Sequence, residues 1–200
     1  MSTLLRLSNV EIFSAPFQYI VCPEVLDPDT SHAVLAWFES DAPWKLVEAD
    51  FYEQCEFSLW NVQLPTRLAF LREHMFLSAI KQRMTELFGV HLSHCVDITA
   101  HRLVPGQHIR IHNDFIPGAE THRLLMQFNR RWQDDHGGLL LVFNSADPAD
   151  IHKIFRPVHN SAVGFAITTT SYHAVSTVYT SERFTLVYSF YGQQGNGQSS

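Results

Sequence analysis

Hydrophobic residues are spaced differently in the two halves of the chain. Over residues 27–40 and 65–89 they recur at helical spacing, whereas from residue 95 onward they fall in short runs separated by turn residues. Short runs of this kind are typical of the strands of a β-sandwich or barrel. The pattern therefore predicts an α+β chain whose helices lie in the amino-terminal half.

Two helices are predicted. The first begins with Asp27 as its N-cap and Pro28 in its first turn, and it ends near Ser40. The second begins at Pro65 and ends at Gly89, because glycine readily adopts the left-handed conformation that closes a helix. The apolar residues of the second helix roughly follow the 3.6-residue period: Leu68, Leu71, Met75, Ala79, Met84 and Leu87.

Most of the predicted strands lie in the carboxyl-terminal half. Two come early, at residues 16–25 and 56–60. Eight more are predicted at residues 95–104, 107–115, 121–129, 138–143, 153–157, 162–168, 173–178 and 183–191. Eight short antiparallel strands in about 100 residues match a double-stranded β-helix, the jelly-roll or cupin-like architecture, whose open mouth can hold a ligand.

This pattern gives a single predicted domain. We expect it to span residues 1–191, with 1–94 as a supporting part of helices and strands and 95–191 as the jelly-roll core. The remaining residues, 192–200, are glycine, glutamine, asparagine and serine, which are too polar to pack. They are predicted to form a disordered tail.

Composition and charge limit the classes of molecule that the chain is expected to bind. The chain is 46% hydrophobic and 17% charged, with a net charge of −6, which argues against a nucleic-acid groove. It has no basic segment followed by an apolar run at its start, and no stretch long enough to span a bilayer, so a cytoplasmic protein without a membrane partner is expected. Cys22, Cys55 and Cys95 lack a C-x-x-C spacing, so we expect reduced, mostly buried thiols.

The candidate chemistry lies in the predicted strand 107–115. His112 and Asp114 are two residues apart, so on a regular strand their side chains point the same way, with Cα atoms roughly 6–7 Å apart. One cation could lie between them, and a His-x-carboxylate pair completed by a distant histidine is the facial triad of non-haem iron(II) oxygenases. The alternative is an ordinary hydrogen-bonded pair at a strand end.

Further motifs follow this pair. His173 opens a later predicted strand and Arg183 comes ten residues after it, so the order is His-x-Asp, His, Arg. The motifs are Val-Pro-Gly-Gln (104–107), His-Asn-Asp (112–114), Asn-Arg-Arg-Trp (129–132), Gly-Gly-Leu-Leu (137–140), Ala-Val-Gly-Phe (162–165), His-Ala-Val (173–175) and Arg-Phe-Thr-Leu (183–186). Through them the chain resembles the prolyl-4-hydroxylase-like branch of the iron(II)/2-oxoglutarate-dependent oxygenases, closely over residues 95–191.

The resemblance implies a 2-oxoglutarate-dependent dioxygenase that uses Fe(II), 2-oxoglutarate and O2, with ascorbate as a candidate reductant. It assigns His112, Asp114 and His173 to iron and Arg183 to the C5 carboxylate of 2-oxoglutarate. A guanidinium suits that task because it can hold a carboxylate through two parallel hydrogen bonds. The implied reaction is hydroxylation of an unactivated C–H bond of an amino acid, free or within a peptide.

The chain departs from this branch at the cosubstrate pocket. Members often bind 2-oxoglutarate with tyrosines from the strands beside the His-x-Asp motif, where this sequence has Arg-Leu at 102–103 and Met-Gln-Phe at 126–128. We expect Thr185 to take this part, because it lies two residues from Arg183 and so on the same strand face. Gln127 is the alternative partner of Arg183, and Thr185 would then be an ordinary β-branched strand residue.

Arg110 and Arg102 are the candidate substrate contacts. Arg110 shares a face with His112 on a regular strand, so it could point into the mouth towards an anionic group, with a salt bridge at the rim as the alternative. Three further histidines near the start of the jelly roll are interpreted as surface residues, with a second metal site as the alternative: His91, His94 and His101.

Two other functions stay open at this point. One is another oxidative outcome, desaturation or ring formation, on a natural-product intermediate. The other is a non-catalytic jelly-roll binding module, against which the complete set of ligand residues argues. In each case the substrate or ligand would be a small molecule or a peptide, and the sequence leaves the oligomeric state open.

Overall fold

Twelve strands join into one sheet in the computed structural model, which describes residues 4–193. The strands are β1 (Glu11–Phe13), β2 (Tyr19–Cys22), β3 (Lys45–Ala49), β4 (Tyr52–Ser58), β5 (Leu92–Leu103), β6 (Ile109–His112), β7 (His122–Gln127), β8 (Leu140–Phe143), β9 (Ile151–Phe155), β10 (Ala162–Ala166), β11 (His173–Val175) and β12 (Arg183–Gly192). The α-helices are α1 (Pro28–Ser40) and α2 (His74–Phe88), and 3-10 turns lie at Leu59–Asn61, Thr66–Arg72 and Asp134–His136.

The sheet curls into a half-barrel. Its strands pair antiparallel in the order β1–β2–β10–β7–β12–β5–β4–β6–β11–β8–β9, with β3 added to β4. The two ends of this order approach each other, since the ring of Tyr19 on β2 lies 5.8 Å, centroid to centroid, from that of Phe155 on β9. The predicted α+β jelly-roll fold is therefore confirmed, although strands from both halves of the chain build the one sheet.

The two faces of β12 have different surroundings. Phe184, Leu186 and Tyr188 pack into the apolar cluster that includes the inner faces of α1 and α2. The alternate residues Arg183 and Thr185 line the inside of the half-barrel. Because side chains alternate along a strand, one face of β12 supports the fold while the other is available to a site.

The start of α1 and the end of α2 lie where the sequence predicts them. Asp27 caps α1 by accepting a hydrogen bond from Thr30 N at 3.1 Å, and Pro28 occupies the first turn. Gly89 ends α2 with φ 66°, the left-handed conformation that favours glycine.

The predicted continuous helix from Pro65 is wrong in its first part. Residues 66–72 form a 3-10 turn, and Glu73 is extended (ψ 146°) before α2 begins. The break changes the helical phase, so Met75 is 83% exposed instead of buried. The face that α2 buries carries Phe76, Ile80, Met84 and Phe88.

Other boundaries also differ from the predictions. The early strand is shorter than expected (β2), β1 and β3 were not anticipated, and Trp60 lies in a 3-10 turn after β4. All eight carboxyl-terminal strands are present, and β12 continues to Gly192, which pairs with Leu92, so that residue is not part of a tail. The rest of the predicted tail from residue 194 lies outside the described residues.

Two further expectations concern the thiols and the membrane. Cys22 and Cys55 are buried and Cys95 is exposed, and all three are free thiols. None of the helices between residues 4 and 193 is long and apolar enough to cross a bilayer. The cytoplasmic location stays a prediction.

Candidate active site

A cavity of about 270 Å³ opens inside the half-barrel. Two groups of predicted residues meet there. One, here called the histidine end, consists of His112, Asp114 and His173. The other, called the arginine end, consists of Arg183 and Thr185, which line the cavity, and Gln127, which is bonded to Thr185.

The histidine end brings three ligand atoms together. His112 Nε2 lies 3.4 Å from Asp114 Oδ1, and His173 Nε2 lies 3.2 Å from Asp114 Oδ2. The two imidazole rings are 4.2 Å apart, centroid to centroid, and the ligand atoms of the three residues all lie within 4.8 Å of one another. Among the described residues this is the one group of three or more such side chains placed closely enough to hold a metal ion.

Backbone carbonyls orient both histidines. The Nδ1 atoms of His112 and His173 lie 2.8 Å from the carbonyl oxygens of Arg110 and Ser171 respectively. A carbonyl can only accept, so each Nδ1 carries the hydrogen and each Nε2 presents its lone pair to Asp114. Two imidazole lone pairs and a carboxylate that face one another suit a cation between them, and this ligand set is that of a non-haem iron(II) centre.

Asp114 reaches this arrangement from a turn and not from the predicted strand. β6 ends at His112, and Asp114 has φ 58°. The turn is held by the loop before β11, the strand that pairs with β6: Ser171 Oγ donates to Asn113 O at 2.9 Å and Asn113 Nδ2 donates to Thr169 O at 3.1 Å. The two ligands are thus close for a different reason from the alternation of side chains along a strand.

Arg123 is a residue of this end that the sequence interpretation missed. Its NH1 donates to Asp114 Oδ2 at 2.6 Å, while its Nε and NH2 donate to the two oxygens of Glu120 at 2.9 and 2.6 Å. Burial alone would lower the pKa of Arg123, but Glu120 and Asp114 together raise it. The signal in the sequence is an arginine directly before the apolar run Leu-Leu-Met of β7.

The same contacts determine the charge of Asp114. Burial alone would raise the pKa of this carboxyl, but the adjacent His112 and His173 side chains and the positive charge of Arg123 hold it well below its usual range. Burial also lowers the pKa of His173. At neutral pH the site therefore offers an ionised carboxylate and a neutral imidazole, the forms that bind a metal ion.

The arginine end is a chain of hydrogen bonds across two strands. Arg183 donates from Nε to Gly138 O at 2.8 Å and from NH1 to Thr185 Oγ1 at 2.8 Å, and Thr185 donates to Gln127 Oε1 at 3.0 Å. Burial lowers the pKa of Arg183 to about 10, so the guanidinium remains charged at neutral pH. Thr185 orients the arginine, and its hydroxyl hydrogen is given to Gln127 in this structure.

The Gly-Gly motif explains how this arginine is accommodated. A Cβ atom on Gly138 would lie 3.0 Å from Arg183 Cδ, and one on Gly137 would lie 1.9 Å from the Thr177 carbonyl oxygen. Both positions need the space that glycine leaves. Arg183 is fully buried, and none of the salt bridges found within residues 4–193 involves it. A buried cation without a carboxylate partner is costly, so an anionic ligand would complete it.

The two arginines predicted to contact substrate lie outside the cavity. His173 pairs with His112 and Val175 with Ile109, so β6 has one extra residue between these pairs. Such a β-bulge reverses the alternation, and Ile109 instead of Arg110 faces the cavity. Arg110 is exposed on a neighbouring groove.

Arg102 belongs to the other face of β5. Its guanidinium lies 5.3 Å from the centroid of the Trp44 ring, and its NH1 is 3.5 Å from Glu182 Oε1. The adjacent residue, His101, lines the cavity together with Glu56, so the interpretation of His101 as a surface histidine is wrong. Burial lowers the pKa of His101 to about 3, and the ring is neutral at physiological pH.

Comparison with known proteins places this geometry in context. Residues 98–190 match the model of the 2OG-Fe(II) oxygenase superfamily. The chain is 21% identical over 181 residues to prolyl 3-hydroxylase sudestada1 of Drosophila melanogaster. That match covers 86% of this chain and 34% of the relative, so the chain spans about a third of the relative's length.

Two solved structures share the fold. A Pseudomonas putida prolyl-4-hydroxylase matches with a TM-score of 0.70 and 17% identity, over 88% of this chain and 92% of that one. A Trichoplax adhaerens prolyl hydroxylase, solved in complex with a peptide fragment of the hypoxia inducible factor oxygen degradation domain, matches with a TM-score of 0.70 and 12% identity, over 91% and 87%. These findings confirm the predicted resemblance: residues 98–190 match the 2OG-Fe(II) oxygenase superfamily, and the chain shares its fold with prolyl hydroxylases.

Proposed function

We propose that this protein is an Fe(II)/2-oxoglutarate-dependent dioxygenase that hydroxylates an unactivated C–H bond of an amino-acid residue, with a prolyl residue as the preferred target. The supporting relatives are named as prolyl hydroxylases, and one of them is bound to a peptide. A peptide substrate follows from that complex as our preference over a free amino acid. The cosubstrates are 2-oxoglutarate and O2, with ascorbate as a candidate reductant.

One observation carries the proposal. A group of metal-ligand atoms and a buried, unpaired arginine line the same cavity. We assign Fe(II) to His112, Asp114 and His173, which leave further coordination positions free. We assign the C5 carboxylate of 2-oxoglutarate to Arg183, a guanidinium that can hold it by two parallel hydrogen bonds. When bound, the iron and 2-oxoglutarate supply the oxidising chemistry.

The protein's own residues orient the arginine that binds 2-oxoglutarate and shield the cavity from water. Thr185 holds the guanidinium of Arg183 in place, and Gln127 holds Thr185. Apolar side chains form part of the cavity wall as well, since Leu125, Leu140 and Val175 line it. Such walls exclude water, which strengthens the charged contacts within the site.

The test is a turnover assay on a panel of substrates. Wild-type protein with Fe(II), 2-oxoglutarate and O2, with and without ascorbate, is incubated with proline-containing peptides and with free L-proline. We expect iron-dependent succinate together with a product that has gained one oxygen, and NMR of the product gives the position of the hydroxyl group. A product that has lost two hydrogens would indicate desaturation or ring closure instead.

The control is the Asp114→Ala variant, which lacks the carboxylate ligand. If the wild type made no more succinate than this variant under any condition, and bound no 2-oxoglutarate, the protein would be a binding module and the proposal would be wrong.

A further inference from the structure

One wall of the cavity has a polar character that iron and 2-oxoglutarate do not use. Gln54 and Glu56 are i and i+2 on β4 and both line the cavity. Gln54 Nε2 donates to Glu56 Oε2 at 2.7 Å. Tyr52, two residues earlier, also lines the cavity and pairs with Ile109 on β6, the strand that ends at His112. The wall therefore adjoins the histidine end.

Glu56 lacks a cationic partner. Among the described residues, the one basic group within 4 Å of it is His101 Nε2, at 3.9 Å, and burial keeps that ring neutral. No lysine or arginine forms a salt bridge with Glu56 within the described residues. The carboxylate thus lies on the cavity wall with one amide beside it and no lysine or arginine within salt-bridge distance, an arrangement that favours a cation.

Gln54 adds a second, independent observation. Its side chain is 2% exposed, and its Oε1 has no hydrogen-bond partner in the part of the chain that the structure describes. The contact with Glu56 fixes the amide, because only the NH2 group can donate to a carboxylate. Buried acceptors normally have a partner, so Gln54 Oε1 is available to an N–H donor. 2-Oxoglutarate has no such donor, whereas an ammonium or guanidinium group does.

The charges of the loaded site lead to the same conclusion. Asp114 and Glu120 are negative, and Arg123 and Arg183 are positive. With Fe(II) and the 2-oxoglutarate dianion bound, these charges balance. Glu56 then remains as a negative charge on the cavity wall, because its cross-strand neighbour Lys45 is exposed and forms no salt bridge with it within the described residues.

We propose that Glu56 and Gln54 form a subsite for a cationic group of the substrate, an ammonium or guanidinium, next to the reacting C–H bond. The proposal rests on the proposed function, because it concerns the substrate of the same cavity. The aromatic rings of Phe51 and Tyr52, which line the same cavity, suit a cation as well. The cation could come from the α-amine of a free or amino-terminal residue, or from a basic side chain.

Matched probe pairs test the subsite and separate these sources. L-prolinamide is compared with N-acetyl-L-prolinamide, and Nα-acetyl-lysine amide with Nα-acetyl-norleucine amide, so that each pair sets a cation against a neutral molecule. Binding is measured by calorimetry without oxygen, on protein loaded with Fe(II) and 2-oxoglutarate, so the readout does not depend on turnover. We expect one cationic probe to bind about tenfold or more tightly than its neutral mate, as for a hydrogen bond to a charged group.

The variant Glu56→Gln should bring that ratio close to one, while Glu48→Gln, which removes an exposed carboxylate from β3, should leave it unchanged. Equal binding of the charged and neutral probes to the wild type, a ratio that survives Glu56→Gln, or no binding of any cationic probe would overturn the subsite. In those cases the visible charge-transfer absorption of Fe(II)-bound 2-oxoglutarate tests the proposed function separately. Its presence would leave the proposed function standing, and its absence would remove both.

Discussion

The two ends of the cavity are built in different ways. At the arginine end, Arg183 and Thr185 stand on β12, and Thr185 pairs in register with Gln127 on β7. At the histidine end, Asp114 lies in a turn with φ 58°, and His112 lies beside a β-bulge. Regular strands present the arginine, whereas contacts between distant loops present the metal ligands. We therefore expect the arginine end to tolerate small changes and the histidine end to depend on every ligand.

The largest effect is expected at the histidine end. His173→Ala removes one of three ligands from a buried site, and we expect loss of bound iron and of 2-oxoglutarate turnover. Iron content by elemental analysis and succinate formation measure both. His74→Ala, which changes an exposed histidine at the start of α2, is the matched control and should behave as wild type. Normal iron content in His173→Ala would mean that a different residue completes the site.

The next largest effect is expected from Arg183→Met. The variant leaves the distal carboxylate of 2-oxoglutarate without a partner in a buried place, a loss of about 3 kcal/mol or more. The half-saturating concentration of 2-oxoglutarate should rise by over roughly 100-fold, with iron binding retained. Arg156→Met, which removes an exposed arginine paired with Asp134, should have no effect on it. A variant that kept wild-type half-saturation would place 2-oxoglutarate elsewhere.

Arg123 supports the histidine end although it is assigned to neither iron nor 2-oxoglutarate. Replacing it by methionine removes the hydrogen bond to Asp114 Oδ2 and leaves Glu120 unpaired. We expect about a 10- to 100-fold loss of iron affinity, because supporting residues of this kind orient a metal ligand. Arg123→Lys, which keeps the charge, should recover part of it. Unaltered iron affinity in Arg123→Met would show that the turn alone positions Asp114.

The smallest effect distinguishes two residues of the arginine end. Thr185→Val keeps the side-chain shape but loses the hydroxyl between Arg183 and Gln127, at a cost of about 1.5 kcal/mol and so about a tenfold rise in half-saturating 2-oxoglutarate. Gln127→Leu should cost less, because Gln127 acts through Thr185. An unchanged valine variant beside a strongly impaired leucine variant would transfer the role to Gln127.

The sequence predicts the arginine end of the cavity better than the histidine end. Alternation along a strand correctly places Arg183 and Thr185 on one face, because β12 is regular. Alternation fails for Arg110, since the bulge adds one residue to β6 and turns its side chain out of the cavity. The closeness of His112 and Asp114 is predicted for the wrong reason, because a turn and not a strand brings them together.

The residues that the sequence interpretation missed depend on pairing between distant segments. Arg123 contacts Asp114 only because the turn after β6 lies over the start of β7. Glu56 enters the cavity because β4 pairs with β5, where its partner is His101. In the amino-terminal half, the extended residue Glu73 interrupts the predicted second helix, and composition around it carries no glycine or proline to indicate the break.

The dependence of 2-oxoglutarate binding on both ends of the cavity tests the proposed site most directly. Anaerobic calorimetry would compare wild type with and without Fe(II), and Arg183→Met with and without Fe(II). We predict tight binding only for the wild type with iron, and weaker binding when either the metal or the arginine is removed. Equal affinity of the wild type with and without Fe(II) would show that the two ends do not hold one cosubstrate, and would contradict the central claim.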